Sequence, residues 1–371
     1  MAGQLLSDSV FAFVHRVQLR VYVTGIGAMV ALNSGVTKQR MSHENGITCR
    51  GTLRIVANPD FPTHEFLAAG REFPCRLRHG AASWRDDAKL VVRSASIKFT
   101  DARGESPFDL LMNTGDVPLF WNARTFFSFM KGTMGGRGKN WLPDLRENPQ
   151  ALRGGADSVR RNPESFSGMV YNSQACFGFV GIDGIYRYVR YRLQPVDFDG
   201  NEMGTPGADD LSHPWLQNPL EHETRNRNYL KDQMTHRLNG EHRPVNYVLR
   251  AQLRQRPSVG DPDWISSAYP WNETDHPFQD VAVVTLTEAL DHDEAQLTWF
   301  DIGHHPASLP VPVGRSIDDP HSMNDLRLAG KWGRRARLWS YRFRGMPGPI
   351  PDSRLAPDWI GAPPMAIPPG G

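Results

Sequence analysis

The chain has 371 residues, enough for one large domain or two smaller ones with a sizeable core. A formal charge of +2 gives no electrostatic reason to expect nucleic acid as a partner, and three widely spaced cysteines, Cys49, Cys75 and Cys176, argue against a disulfide framework or a cysteine zinc site. That cysteine usage points to a reducing, cytoplasmic setting, and 34 glycines with 29 prolines favour short strands and turns over long helices.

In chain order, residues 5–40 read as an amphipathic helical lead-in. Its longest apolar run, Val21 to Leu32, is too short to span a bilayer, so no transmembrane segment is expected and a peripheral membrane contact stays open. From Thr48 the period becomes strand-like, with Thr52-Leu53-Arg54-Ile55-Val56 alternating up to Asn58-Pro59-Asp60. A helix-compatible piece at His64–Ala69 precedes strand candidates at Cys75–His79, Ala95–Phe99 and Phe108–Met112. Asn122–Met130 opens a helical excursion that reaches Ser158–Pro163. The clearest strand is Ile185–Leu193, entered by the turn Gly181-Ile182-Asp183-Gly184. Residues 200–243 read as a polar helical insertion, and Val245–Leu253 and Val281–Thr287 as further strands. An irregular connection, Phe300–Ile317, leads to a basic helix over Met323–Tyr341. The Pro- and Gly-rich residues 346–371 read as a disordered tail. This order predicts an α+β fold: a closed antiparallel β-barrel over residues 41–345 with helical additions.

Two motifs carry chemistry. His43, in Arg40-Met41-Ser42-His43-Glu44-Asn45-Gly46, stands just ahead of a strand, and Asn113, in Met112-Asn113-Thr114-Gly115, ends another. A hydroperoxide needs an imidazole to move a proton and an amide to hold the departing oxygen. Arg76, Arg78 and His79 are equally compatible with a solvated strand face, and the adjacent His304-His305 with a structural role.

These residues, with Phe61–Phe66, Arg71–His79, Arg93–Phe99, Phe120-Trp121-Asn122, Pro244–Tyr247, Pro270–Pro277, Pro306–Leu309 and Ser322–Arg327, run in an order that resembles the catalase-related haem proteins, allene oxide synthase domains in particular. The resemblance implies a catalase-like barrel holding haem b within its wall, His43 as distal histidine and Asn113 as distal asparagine. It also implies that the Ser42 hydroxyl bonds the histidine and that Arg76 and Arg40 pair with haem propionates, as a guanidinium fork suits carboxylates.

One departure stands out. The family's iron is held by a tyrosinate in an Arg-x-x-x-Tyr pattern, which eases ionisation of the phenol by a cation one turn away. Alignment through Ser322–Arg327 places the arginine at Arg327 and puts Lys331, not tyrosine, four residues on. A literal match, Arg337-Leu338-Trp339-Ser340-Tyr341, lies ten residues further along. Deprotonating a lysine at neutral pH costs about 4–5 kcal/mol. Lys331, Tyr341 and loss of the haem are therefore all left open.

The expectation is an enzyme that dehydrates or isomerises an organic, fatty-acid-like hydroperoxide. A haem-free fold binding or transforming an anionic small molecule is the alternative, and a peroxidase or catalase using hydrogen peroxide the weaker one. A lipid hydroperoxide or other small molecule is the implied partner, and assembly into a homo-oligomer is left open.

Overall fold

The computed structural model describes residues 2–37, 40, 42–82, 86–134, 149–208, 210, 219–256 and 264–342, except for the side chains of 2–9, 37, 131–134, 151 and 340–342. The tail at 346–371 lies outside the described residues.

The described residues form ten strands, β1 (Asn45–Ile55), β2 (Glu72–Ala81), β3 (Val91–Lys98), β4 (Asp109–Thr114), β5 (Val159–Arg160), β6 (Tyr171–Asn172), β7 (Phe177–Val180), β8 (Tyr186–Pro195), β9 (Val245–Arg254) and β10 (Gln279–Ala289). β5, in the segment expected to be helical, and the short β6 and β7 were not expected. All pairings are antiparallel. β1, β2, β3, β4, β6, β8, β9 and β10 pair in that circular order, and β10 returns to β1, so the sheet closes into a barrel and leaves few free edges. β5 extends β3 and β7 extends β8.

Alternation decides what fills the barrel. In β2 the odd residues Cys75, Leu77 and His79 enter the core with no exposure, while Arg76, Arg78 and Gly80 stand on the outer wall. Leu53, Ile97, Leu110, Met112, Tyr191, Leu249 and Val284 complete the interior, so the barrel is packed rather than hollow. The Tyr247 hydroxyl meets His79 Nε2 at 3.0 Å, and Phe166 stacks on the same imidazole. Burial lowers the His79 pKa to about 3, with Arg78 adding to the effect, so the ring is neutral.

Helices cover the outer wall: α1 (Ala2–Thr37), α2 (Ala123–Met134), α3 (Pro149–Ser158), α4 (Tyr229–Thr235), α5 (His292–Leu297), α6 (Ser322–Ala329) and α7 (Lys331–Arg342). Leu19 and Ile26 of α1 join Ala123 of α2 and Met323 and Leu326 of α6 in a second apolar cluster. The polar segment 200–243 contributes α4, whose Tyr229, Leu230 and Met234 reach the barrel core.

Three expectations change. The basic segment expected as one helix is two, α6 and α7, joined at Gly330, whose N–H is shared between Leu326 O (3.2 Å) and Arg327 O (3.1 Å). His64–Ala69 is not helical. His64 Nδ1 instead accepts from Leu67 N (3.1 Å), and Gly70, at φ +82°, turns the chain away. Within α1, Val10–Val36 is long and apolar enough to cross a membrane by length and composition. Counting only uninterrupted apolar residues had missed this, because Arg16 and Arg20 break the run without removing its overall character.

Candidate active site

The site grows out of one row of the barrel. Gly46 of β1 pairs with Gly80 of β2, Gly80 with Ser94 of β3, Ser94 with Asn113 of β4 and Asn113 with Asn172 of β6. His43 enters this row from just before β1. A Cβ built on Gly80 would lie 3.1 Å from His43 O, 3.2 Å from His43 Cβ and 3.3 Å from Ser94 Oγ. Glycine at position 80 therefore lets the His43 backbone and Cβ approach the strand closely. Gly46 is needed for a different reason, since a Cβ there would fall 2.1 Å from His79 O. Gly80→Val is expected to displace His43 while the barrel still folds. Hydroperoxide turnover should drop, by up to about 10²-fold for a shift of about 1 Å, with far-UV circular dichroism unchanged. Full activity in this variant would remove Gly80 from the account.

This row places His43 and Asn113 on the outer wall, not on the inner one as the sequence suggested. The interior is already filled by the odd-numbered residues of β2 and their partners. The wall there is made of small residues, Gly80 and Ser94 in one row and Ser96 in the next, beside Leu111.

His43 has φ +57° and Gln174 has φ +62°, a backbone region that residues other than glycine rarely occupy and that gathers at functional sites. The Gln174 side chain ties the site together. Its Oε1 accepts from Asn113 Nδ2 (3.2 Å), and its Nε2 donates to Thr114 O (3.2 Å) and Gly115 O (3.1 Å). Sequence reasoning missed Gln174, because the contact joins residues 61 apart and nothing local announces it.

Burial lowers the His43 pKa to about 4, with Arg78 and Arg93 pushing the same way and the Gly80 backbone opposing them. The ring is therefore neutral near pH 7. Its Nδ1 is buried with no hydrogen-bond partner among the described residues, which leaves its donor or acceptor capacity unused. Ser42 is exposed and makes no hydrogen bond to His43 among the described residues.

The cations sort into three groups. Arg76 is buried and already engaged, with Nε to Asp101 Oδ1 (2.9 Å) and Nη1 to Glu294 Oε2 (3.0 Å) and Thr298 Oγ1 (2.7 Å). Arg40 and Arg337 meet on Gln296: Arg40 Nη1 donates to its Oε1 (2.6 Å) and Arg337 Nη1 to its carbonyl (2.5 Å). Arg78 and Arg327 have no carboxylate within ion-pair distance among the described residues. Arg78 donates to Glu44 O (2.9 Å) and His43 O (3.3 Å), and Arg327 to Ser173 O (2.9 Å), one residue from Gln174. Burial pulls each guanidinium down to about 10, and both remain charged at neutral pH. Arg78 is thus no solvated strand residue.

Lys331, the first residue of α7, is half-buried and makes no hydrogen bond or ion pair among the described residues. Tyr341 lies on the same helix, and its side chain is outside the described residues. His304 is structural, its Nδ1 3.0 Å from Asp109 Oδ2. Among the described residues no three His, Cys, Asp or Glu side chains gather as a site for a bare metal ion.

No family model matches the chain. Among curated proteins it is 34% identical over 294 residues to the allene oxide synthase-lipoxygenase protein of Plexaura homomalla, covering 78% of this chain and 27% of that protein. It is 27% identical over 303 residues to the linolenate 9R-lipoxygenase of a Nostoc strain, covering 79% of this chain and 37% of that one. The chain thus spans well under half of these relatives' lengths. Among solved structures, a fungal catalase superposes with a TM-score of 0.60 at 16% identity, over 87% of this chain and 67% of the catalase. A bacterial catalase gives 0.61 at 13% identity, over 80% and 57%. Barrel, outer-wall row and covering helices together define a catalase-like α+β protein. The sequence likeness and the fold together fit a catalase-like domain of the kind represented by allene oxide synthase proteins.

Proposed function

We propose that the protein is a haem enzyme that dehydrates or isomerises an organic, fatty-acid-like hydroperoxide. One observation carries this reading: a neutral, partly enclosed imidazole with an unpartnered Nδ1 stands in the same strand row as a carboxamide.

The residues fit haem on two counts. A flat macrocycle would lie against the small residues Gly80, Ser94 and Ser96, and Arg78 and Arg327 are charged groups without carboxylate partners among the described residues, suited to its propionates. The iron's protein ligand would come from Lys331 or Tyr341. Haem, when bound, supplies the iron that opens the O–O bond. This chain's residues do the rest. His43 takes the hydroperoxide proton at Nδ1 and returns it to the departing oxygen. In dehydration that oxygen leaves as water once it also receives the hydrogen lost from the substrate's carbon chain, whereas in isomerisation the oxygen stays in the product. Asn113 keeps one Nδ2 hydrogen on Gln174 and offers the other to the substrate oxygen. Because Gln174 is itself fixed by two backbone carbonyls, the amide is oriented before substrate arrives.

The test compares substrates on haem-loaded protein. Turnover of a fatty-acid hydroperoxide is expected to exceed that of hydrogen peroxide at equal concentration. Faster consumption of hydrogen peroxide, with oxygen release, would replace this reading by a catalase one.

A further inference from the structure

We infer that the outward face of α1 lies on the surface of an anionic phospholipid bilayer. The helix is apolar on more than its packed side. Val10, Val14, Val17 and Val21, spaced by three and four residues, and Leu32 and Val36, about three turns further on, are 42–71% exposed and fall on one stripe opposite the buried Leu19 and Ile26. A helix on a water-facing surface carries polar residues in that position. Here the 27 residues from Val10 to Val36 are long enough to cross a bilayer. Packing of the other face against α2 and α6 keeps the helix lying along a surface instead.

Charge selects the occupant. Between Ser9 and His43 there is no aspartate or glutamate, whereas Arg16, Arg20, Lys38 and Arg40 all fall there, and Arg16 and Arg20 are exposed. Cations flanking an apolar face suit anionic headgroups. A second copy docked symmetrically on the same stripe would bring like charges together, with Asp8 the single acid on each helix to offset them. Trp332 of α7 packs on Gly27 of α1 at 3.2 Å from the position of a Cβ, and is still 47% exposed; Trp339, seven residues on, is 62% exposed. Exposed indoles beside an apolar helix match the enrichment of tryptophan at the headgroup level.

The experiment is co-sedimentation of the full chain with vesicles of phosphatidylcholine alone or with phosphatidylserine added, at two salt concentrations. The chain is expected to bind the serine-containing vesicles at least about tenfold better, and less well at high salt. Val14→Glu/Val17→Glu/Val21→Glu should abolish binding. Arg16→Gln/Arg20→Gln should remove the preference for phosphatidylserine. Each variant is checked by near-UV circular dichroism, because the replaced side chains face outward and the fold should persist. No binding by the unaltered chain, or undiminished binding by the triple glutamate variant, overturns the inference. A concentration-dependent dimer that the glutamates dissociate, with no vesicle binding, also overturns it and assigns the stripe to a second copy.

Discussion

Replacing His43 by alanine is expected to lower hydroperoxide turnover by roughly 10²–10⁴-fold, the range a positioned acid–base group contributes. Uptake of haem should persist, because the cations offered for its propionates, Arg78 and Arg327, are untouched. The pH dependence adds a second readout. With the His43 pKa at about 4, the ring stays an available base at pH 6–8, and the activity of the unaltered enzyme should not fall off near pH 6.5 on account of this group. Stability follows the same shift. The unfolded chain, with histidine near 6.5, binds a proton that the folded chain refuses, so stability falls as pH drops from about 6.5 towards 4. His43→Ala should make that acid sensitivity shallower, and His79, with its pKa at about 3, should retain the rest. Turnover within about threefold of the unaltered enzyme, well inside the span of acid–base contributions, would take His43 out of the chemistry.

The largest loss of stability is expected from Asp109→Ala. Lys98 Nζ lies 2.9 Å from Asp109 Oδ2, both side chains are fully buried, and the same carboxylate accepts from Asp301 N (2.9 Å) and meets His304 Nδ1 (3.0 Å). Removing it strands an ammonium whose burial already lowers its pKa, and costs about 3–5 kcal/mol. Denaturant unfolding should show the unfolding free energy falling by that amount, with an unchanged slope and a lower midpoint. The double replacement Lys98→Met/Asp109→Leu should recover much of the loss, because a well-packed apolar pair avoids the desolvation cost of the ions. If the single variant is as stable as the unaltered chain, the cluster does not anchor the β3–β4 pair to the Trp299–His305 segment.

Much of this was legible in the sequence, and what was not has physical causes. The strand at Tyr186–Pro195 and the barrel class follow from alternation and from the order of motifs. Alternation separates two faces of a strand without saying which is concave. Arg76-Leu77-Arg78-His79 therefore suggested a solvated wall and an inner site, whereas helices cover that wall and bury Arg78 to 5%. The bond from Asn113 to Gln174 and the grip of Arg327 on Ser173 join residues 61 and 154 apart, so they exist only once the barrel has closed. The junction at Gly330 divides a segment whose composition reads as uniformly helical.

The central claim is that a haem sits between the outer wall of the barrel and its covering helices, with His43 facing it. Titration of haemin into the purified chain, followed by absorption, tests this most directly. A saturable Soret band reaching one haem per chain is predicted, shifting in position when His43 is replaced. A chain that stays colourless in haemin, or a band that is indifferent to His43, would contradict it.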